Sequence, residues 1–252
     1  CNNQKFGTIM YLYKNNKLFI LIVIAYLFSV GVRLIWVFQF NGNSDFTFND
    51  QFMLTTNDGY YYAEGARDII SGKTQENALS PTTSSLSIVT AIIEKLVPFS
   101  FESIIFYLPV IFSSFLVVPI VLIGKSVVNL KVGFIAAIVA SVTWSYYNRS
   151  MVGYYDTDML VVVLPTFTIW GVLYALQNED DDALLIAPIF AVFTILWHSG
   201  MIHVINGLFF LLIFYTLLFE RKNIFYYKFL SVFIIVLTNL PIIAKFSLII
   251  SL

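Results

Sequence analysis

The stretch MLVVVLPTFTIWGVLYALQN, residues 159–178, contains no charged side chain over twenty positions. A helix needs about 20 apolar residues to cross the hydrocarbon core of a bilayer, so this stretch predicts a membrane span. It follows directly on YYDTD, residues 154–158, which places two aspartates at the mouth of the predicted helix. Charged groups at such a position are costly and commonly functional, so the junction guides both the fold and the search for a site.

The composition of the whole chain agrees with a membrane protein. Of its 252 residues 59% are hydrophobic and 12% are charged, against about 25% charged residues in soluble domains. The net charge of −1 gives no basic field for nucleic acid, and the single cysteine, Cys1, excludes a disulfide within the chain and a cysteine metal cluster. The chain starts without Met and ends inside the apolar run FSLIISL (246–252), so we expect part of a longer protein.

Runs with few or no charges predict seven spans and the start of an eighth, hence an all-α polytopic membrane protein. The first run holds one charge, Arg33, which we expect to extend to the outer interface. The long run 183–219 must form two spans joined near His198–Gly200. The predicted spans are 18–40, 103–124, 132–148, 159–178, two within 183–219, 229–244, and a beginning at 246–252.

Positive charges in short loops predict the orientation of these spans. With seven alternating crossings, three basic clusters fall on one side, taken as cytoplasmic: Lys5, Lys14 and Lys17; Lys125 and Lys131; Arg221, Lys222 and Lys228. The opposite, outer face then carries residues 41–101, 149–158 and the turn at His198. In the first outer loop, the sequence after Asp58 is helical in character, and SPTTSSLSIVTAIIEKLVPFS (80–100) predicts a turn followed by an amphipathic helix.

Three outer-face aspartates are candidate metal ligands. Asp156 and Asp158 stand two positions apart, and two neighbouring carboxylates are tolerated if water or a cation lies between them. Mg²⁺ and Mn²⁺ prefer such oxygen donors. The alternative is that one of the pair caps the following helix, and that Asp58, in the turn signal Asn-Asp-Gly, caps another.

Arg149 precedes this pair and can bind phosphate as a bidentate fork. The alternatives are an interfacial anchor or a structural partner of one aspartate. His198 is interpreted first as a polar turn residue, and the Asn-Arg-Ser pattern at 148–150 as a lining of the site rather than a glycosylation acceptor. Together these residues predict an outer site for a metal and a phosphate-bearing lipid.

Two segments carry a family resemblance, TTNDGYYYAEGARDIISG (55–72) and SYYNRSMVGYYDTDMLVVVLP (145–165). They resemble the bacterial single-subunit oligosaccharyltransferases of N-linked glycosylation, and the likeness extends over nearly the whole chain. The resemblance implies a glycosyltransferase C-type fold, with residues 1–252 as a partial transmembrane domain and 41–101 as its first periplasmic loop. It implies transfer of an oligosaccharide from undecaprenyl pyrophosphate to the asparagine amide of an Asn-x-Ser/Thr sequon.

The resemblance also implies roles for particular residues. Asp58 and Asp156 match metal ligands of the family, Asp158 matches their neighbour that acts through water, and Arg149 matches an arginine beside them. Substrate contacts are expected from Arg149, Tyr155, Trp197 and His198.

Three departures from the family pattern matter. The family's later acidic ligand and its Trp-Trp-Asp sequon reader would lie beyond residue 252, with the C-terminal periplasmic domain, so we expect this chain alone to be inactive. Relatives often show Trp-Tyr-Pro where this chain has Trp197, His198 and Ser199.

The expected setting is a monomer in the bacterial inner membrane, with a periplasmic site that uses Mg²⁺ or Mn²⁺ and binds a lipid-linked oligosaccharide and an acceptor protein or peptide. The alternatives are another glycosyltransferase that uses a lipid-phosphate sugar, or a transporter or flippase. Against a transporter, the charges lie at the outer face and not at the midplane.

Overall fold

The computed structural model describes the backbone of residues 2–49, 51–73, 75, 80–179, 181–238 and 240–251. It describes their side chains except those of residues 2–15, 182, 250 and 251. Cys1 and the side chains of Lys5 and Lys14, used above for composition and orientation, therefore lie outside the described residues.

The described chain is almost entirely helical, which confirms the predicted fold class. One short hairpin in the first outer loop pairs β1 (Thr47–Phe48) with β2 (Gln51–Phe52). The helices are α1 Asn2–Phe40, α2 Asn57–Ser71, α3 Ser85–Leu96, α4 Phe101–Ser114, α5 Val117–Val127, α6 Leu130–Ser141, α7 Trp144–Asn148, α8 Asp158–Val161, α9 Val163–Asn178, α10 Ile186–Trp197, α11 Ile202–Phe219, α12 Ile224–Leu237 and α13 Ile242–Ser251.

Four stretches of the described chain are helical, apolar and long enough to cross a bilayer: Asn16–Phe40, Phe101–Val127, Asp158–Asn178 and Ser199–Phe219. The other three predicted spans correspond to shorter apolar helices, Leu130–Ser141, Ala183–Trp197 and Ile224–Leu237. The polytopic arrangement is thus as predicted, but the count of seven full-length spans is reached only if these shorter helices also cross.

The predicted span 132–148 is interrupted between Ser141 and Trp144. The hydroxyls of Ser141 and Thr143 donate to the carbonyls of Ile138 and Val139, at 2.8 Å and 3.1 Å. Such bonds weaken or bend a helix only slightly, and Thr216 makes the same kind of bond inside α11, so they accompany the break without accounting for it. Helix α6 ends at Ser141, and the separate short helix α7 carries the chain to Arg149.

Small residues allow the membrane helices to approach closely. A Cβ added at Gly171 of α9 would lie 2.8 Å from the backbone nitrogen of Ala187 in α10, and one added at Gly133 of α6 would lie 2.5 Å from the Val121 carbonyl oxygen of α5. Such contacts supply the van der Waals packing that holds helices together in lipid. Burial of apolar surface contributes little to helix association there, because the lipid tails are apolar too.

The described side chains form four apolar clusters, of which the two largest matter for the site. The larger one contains residues of all five helices from α9 through α13, around buried rings such as Phe229 and Phe233. The smaller one joins α2, α3, α4 and α8 around Leu86, Tyr155 and Met159, and it includes Trp197 from the end of α10. The second cluster contains Tyr155, the residue before Asp156, and Met159, the residue after Asp158.

Candidate active site

The loop that carries the aspartate pair is fixed at Gly153. The Gly153 N–H donates to the Phe106 carbonyl at 2.8 Å, and the Thr55 N–H donates to the Gly153 carbonyl at 2.9 Å. Gly153 has a φ of +78°, and a Cβ at this position would lie 2.9 Å from the ring of Phe106. A glycine is therefore required here, because both the left-handed backbone and the close contact disfavour a side chain.

Asp58 approaches this loop from the first turn of α2. That helix begins at Asn57 with Thr56 as N-cap, so Asp58 is not the N-cap residue. A Cβ added at Gly59 would lie 2.9 Å from the Tyr155 carbonyl oxygen. Since Gly59 follows Asp58 and Tyr155 precedes Asp156, this contact brings the two predicted metal ligands to one place.

Asp156 is half-buried and lies in a negative environment. Its Oδ1 accepts hydrogen bonds from the N–H and hydroxyl of Thr157, and not from a later helical N–H. Burial raises the pKa of the Asp156 carboxyl, and the charges of Asp158 and Asp58 raise that pKa further, against the hydrogen bonds from Thr157 that lower it. The surroundings of Asp156 thus disfavour its charged form.

Asp158 differs because it has a cationic partner. The Arg149 guanidinium donates from Nη1 to Asp158 Oδ2 at 3.0 Å. The alternative in which Arg149 partners one aspartate is thus observed. The side chain of Arg149 remains 64% exposed, so the pair itself stabilises the fold by at most about 1 kcal/mol.

Two tyrosines that the sequence analysis did not single out also face the site. Burial is the largest cause of the raised pKa of Tyr154, which the Arg149 charge opposes and the Asp158, Asp156 and Asp58 charges reinforce. Burial also raises the pKa of Tyr62, with Asp156 and Asp58 adding to it. The signal was present in the sequence, because both tyrosines lie within a few residues of a site aspartate.

Tyr155 and Trp197 were predicted to contact substrate, but both side chains are buried. The Tyr155 hydroxyl lies 2.6 Å from Thr90 Oγ1, and Trp197 donates from Nε1 to the Thr157 carbonyl at 2.7 Å. These contacts hold the backbone on either side of Asp156. Both residues therefore position the loop, and their contact with a substrate stays a prediction.

His198 lies where a polar turn residue is expected. It ends α10 in an extended conformation, is exposed, and precedes the short 3-10 turn Ser199–Met201. Its contact with the lipid-linked substrate stays a prediction.

A metal site is not complete in the described residues. They contain no group of three or more His, Cys, Asp or Glu placed to hold one ion. What they offer is a smaller donor set, Asp156 with Asp58 beside it, while Arg149 engages Asp158. Oxygen donors with unbalanced negative charge are the kind of group that a hard divalent cation prefers.

Known proteins resemble this chain over most of its length. Two curated relatives are named undecaprenyl-diphosphooligosaccharide–protein glycotransferase, one from Campylobacter jejuni serotype O:2 and one from Campylobacter jejuni strain RM1221. They are 44% and 43% identical over 210 residues, which is 83% of this chain. The chain spans 30% of the length of each relative.

Solved structures show the same fold at lower identity. The oligosaccharyltransferase of Archaeoglobus fulgidus in complex with Zn and sulfate matches with a TM-score of 0.67 and 20% identity, over 91% of this chain and 30% of that one. Its apo form matches with a TM-score of 0.71 and 19% identity, over 94% and 29%. The family model for the N-terminal part of the oligosaccharyl transferase STT3 matches residues 9–252. This chain therefore belongs to the STT3 oligosaccharyl transferase family.

Proposed function

We propose that this chain forms the membrane part of an enzyme that transfers an oligosaccharide from undecaprenyl diphosphate to the side-chain amide of asparagine in an acceptor sequon. The observation that carries the proposal is the meeting of Asp58 and Asp156 at the mouth of a membrane helix, in a chain 44% identical to glycotransferases of that name. The predominance of lysine and arginine on the other side of the predicted topology supports a periplasmic site in the inner membrane.

The reaction exchanges one bond at the sugar. The bond between the anomeric carbon and the phosphate oxygen breaks, and the diphosphate leaves with the electron pair. A carbon–nitrogen bond forms to the amide, whose nitrogen loses one proton to a carboxylate oxygen. Ionised carboxylates only accept hydrogen bonds, so Asp58, projecting from the first turn of α2, is suited to bind and orient the amide N–H groups.

Divalent cation binding is part of the proposal, and the donor set fits it. Asp156 and Asp58 would hold Mg²⁺ or Mn²⁺, with Asp158 reaching it through water. Mg²⁺ demands a near-octahedral set of oxygen ligands. Two carboxylates would fill only part of this set, so water and substrate oxygens would have to supply the other ligands. The chemistry such a cation supplies is neutralisation of the charge that develops on the leaving phosphate.

The decisive experiment is sugar transfer by the full-length protein in detergent or nanodiscs. The substrates are a lipid-linked oligosaccharide and a fluorescent peptide with an Asn-x-Thr sequon; a peptide with Gln in place of Asn is the control. We expect transfer that stops with EDTA and returns with Mn²⁺ or Mg²⁺. If the protein in vesicles moved the lipid-linked oligosaccharide across the bilayer and formed no glycopeptide, the flippase alternative would be established instead.

A pair of variants tests the site. Asp156→Asn removes a negative charge and weakens a hard-cation ligand, so it should lower transfer by roughly 100-fold or more, since charge neutralisation at such a site supplies several kcal/mol. Asp45→Asn is the matched control, because Asp45 lies exposed on the turn that precedes β1, in the same outer loop. Full transfer by Asp156→Asn at low metal would remove Asp156 from the mechanism.

A further inference from the structure

Arg33, in the first membrane span, is fully buried. The expectation that its side chain extends to the outer interface is therefore wrong. Its Nη1 donates to Ser29 Oγ at 2.7 Å, its Nη2 to Ser150 Oγ at 2.9 Å, and its Nε to the Ser150 carbonyl at 3.1 Å. The guanidinium also lies over the rings of Tyr146 and Tyr147, 5.3 Å and 5.9 Å from their centroids.

All these partners are neutral. Within the part of the chain whose side chains are described, the ion pairs involve Arg67, Arg149 and Lys228, and not Arg33. A buried cation without a carboxylate is expensive, and polar residues in membrane spans are retained mainly where they serve a function. Apart from the hydrogen bonds to Ser29 in its own helix, the contacts of Arg33 go to α7 and to Ser150 just after it.

Ser150 is the residue next to Arg149. Its own side chain is also fully buried, and its carbonyl accepts a second hydrogen bond from Ser113 Oγ at 3.2 Å. Arg149 in turn donates to Asp158 at 3.0 Å. A continuous chain of contacts therefore runs from the first membrane span to the outer site: Arg33, Ser150, Arg149, Asp158.

We infer that Arg33 is a positioning residue for the outer site. It fixes the backbone at Ser150 so that Arg149 meets Asp158, whereas Asp156 and Asp58 form no ion pair among the described residues. Lysine cannot replace it, because a single ammonium nitrogen cannot bridge Ser29 and Ser150 as the planar fork does. The expected effect on sugar transfer rests on the proposed function, whereas the effect on the loop does not.

Limited trypsin digestion measures the loop without any assay of activity. In the full-length protein in nanodiscs, Arg33→Gln should speed cleavage of the Arg149–Ser150 bond by about tenfold or more, since loss of a charge-assisted hydrogen bond favours local opening. Cleavage after the exposed Lys95 in α3 should not change. No change after Arg149, or an equal rise at both bonds, would overturn the inference.

A second pair of variants guards against general misfolding. Ser150→Ala deletes the hydroxyl that accepts from Arg33 and should speed the same cleavage. Ser114→Ala is the matched control, because Ser114 is an equally buried serine whose Oγ has no hydrogen-bond partner in the described structure. If Ser114→Ala opened the Arg149–Ser150 bond as much as Ser150→Ala does, the specific role of the Arg33 contacts would be refuted.

A double-mutant cycle on kcat/KM tests the route through Arg149. Arg33→Gln and Arg149→Ala should each lower transfer, but the double variant should fall within about threefold of Arg149→Ala alone, because residues in one network are not additive. Additive losses would show that Arg33 acts elsewhere. A wild-type protein without transfer would refute the proposed function, and the digestion would then decide the positioning role by itself.

Discussion

The outer end of the molecule and the bundle of α9 to α13 are held together in different ways. At the outer end, side-chain hydrogen bonds join residues far apart in the sequence, such as Arg33 to Ser150 and Trp197 to Thr157. In the bundle, buried Thr216 donates to a carbonyl four residues earlier in its own helix, and the helices meet through an apolar cluster.

The difference follows from what each contact can specify. Apolar packing between membrane helices is van der Waals in origin, requires matching shapes and tolerates small shifts. A hydrogen bond fixes direction and distance. The site end therefore uses directional contacts where carboxylates must be held in place, and variants in the two regions should separate stability from transfer.

Gly171 is the position in the bundle where the largest effect is expected. Gly171→Val would force a Cβ to within 2.9 Å of the Ala187 Cα, and backbone atoms cannot move aside as side chains can. We expect a loss of about 3 kcal/mol or more from overpacking, seen as a lower unfolding midpoint in SDS titration. Gly207→Ala, in α11 with nothing within 4 Å of the added Cβ, is the control. Equal midpoints for the two variants would contradict the close α9–α10 contact.

Phe233 tests the apolar cluster by creating a cavity. Its ring is fully buried and lies 5.9 Å from the rings of Phe209 and Phe229. Phe233→Ala should cost about 3 kcal/mol of stability, while transfer per folded molecule stays unchanged. Phe214→Ala, at a ring that is 63% exposed, should cost little. A specific loss of transfer in Phe233→Ala would mean that the bundle and the site are not separable.

Trp197 should show the opposite pattern. Trp197→Phe keeps most of the buried ring but leaves the Thr157 carbonyl, between the two aspartates, without its indole donor. The unsatisfied carbonyl costs about 1–3 kcal/mol, and we expect transfer to fall more than the unfolding midpoint does. Trp144→Phe, at an exposed ring, serves as control. Unchanged kcat/KM in Trp197→Phe would show that this hydrogen bond does not position the site.

Sequence reasoning predicted what depends on neighbouring residues. Apolar run length predicted the membrane helices, and the pattern after Asp58 predicted α2, because periodicity and span length are local properties. It failed at Val142–Thr143, where the helix ends within a run that contains no charge. It could not foresee that the three short helices would fall below spanning length.

The candidate site was predicted in part for a similar reason. Asp58 and Asp156 were identified as partners, and the structure brings their segments together. The buried roles of Tyr155 and Trp197 depend on partners more than 35 residues away. The burial of Arg33 depends on a serine 117 positions along the chain. No spacing rule encodes such contacts, so these residues were given substrate or interfacial roles.

Asp156 provides the smallest and most diagnostic effect, because ionisation of its carboxyl group should lower the stability of the fold. Its raised pKa means that folding favours the protonated form. This contribution is fully present below the ordinary value of 3.8 and is lost as pH rises through the folded-state pKa. Without metal, Asp156→Asn should therefore match the wild type near pH 3, below the ordinary value of 3.8, and unfold at a slightly higher temperature at pH 7.

Thermal unfolding in detergent with EDTA at both pH values checks this expectation. Asp45→Asn is the control, because it shows how the loss of another negative charge in the outer loop changes the unfolding temperature. A structural cap would behave differently, because Asn caps a helix about as well as Asp, so Asp156→Asn would leave the unfolding temperature at pH 7 nearly unchanged. A lower unfolding temperature for Asp156→Asn at pH 7 would thus indicate that the carboxylate serves the fold. A higher one, together with lost transfer, would indicate a charge held at the site for function against the stability of the protein.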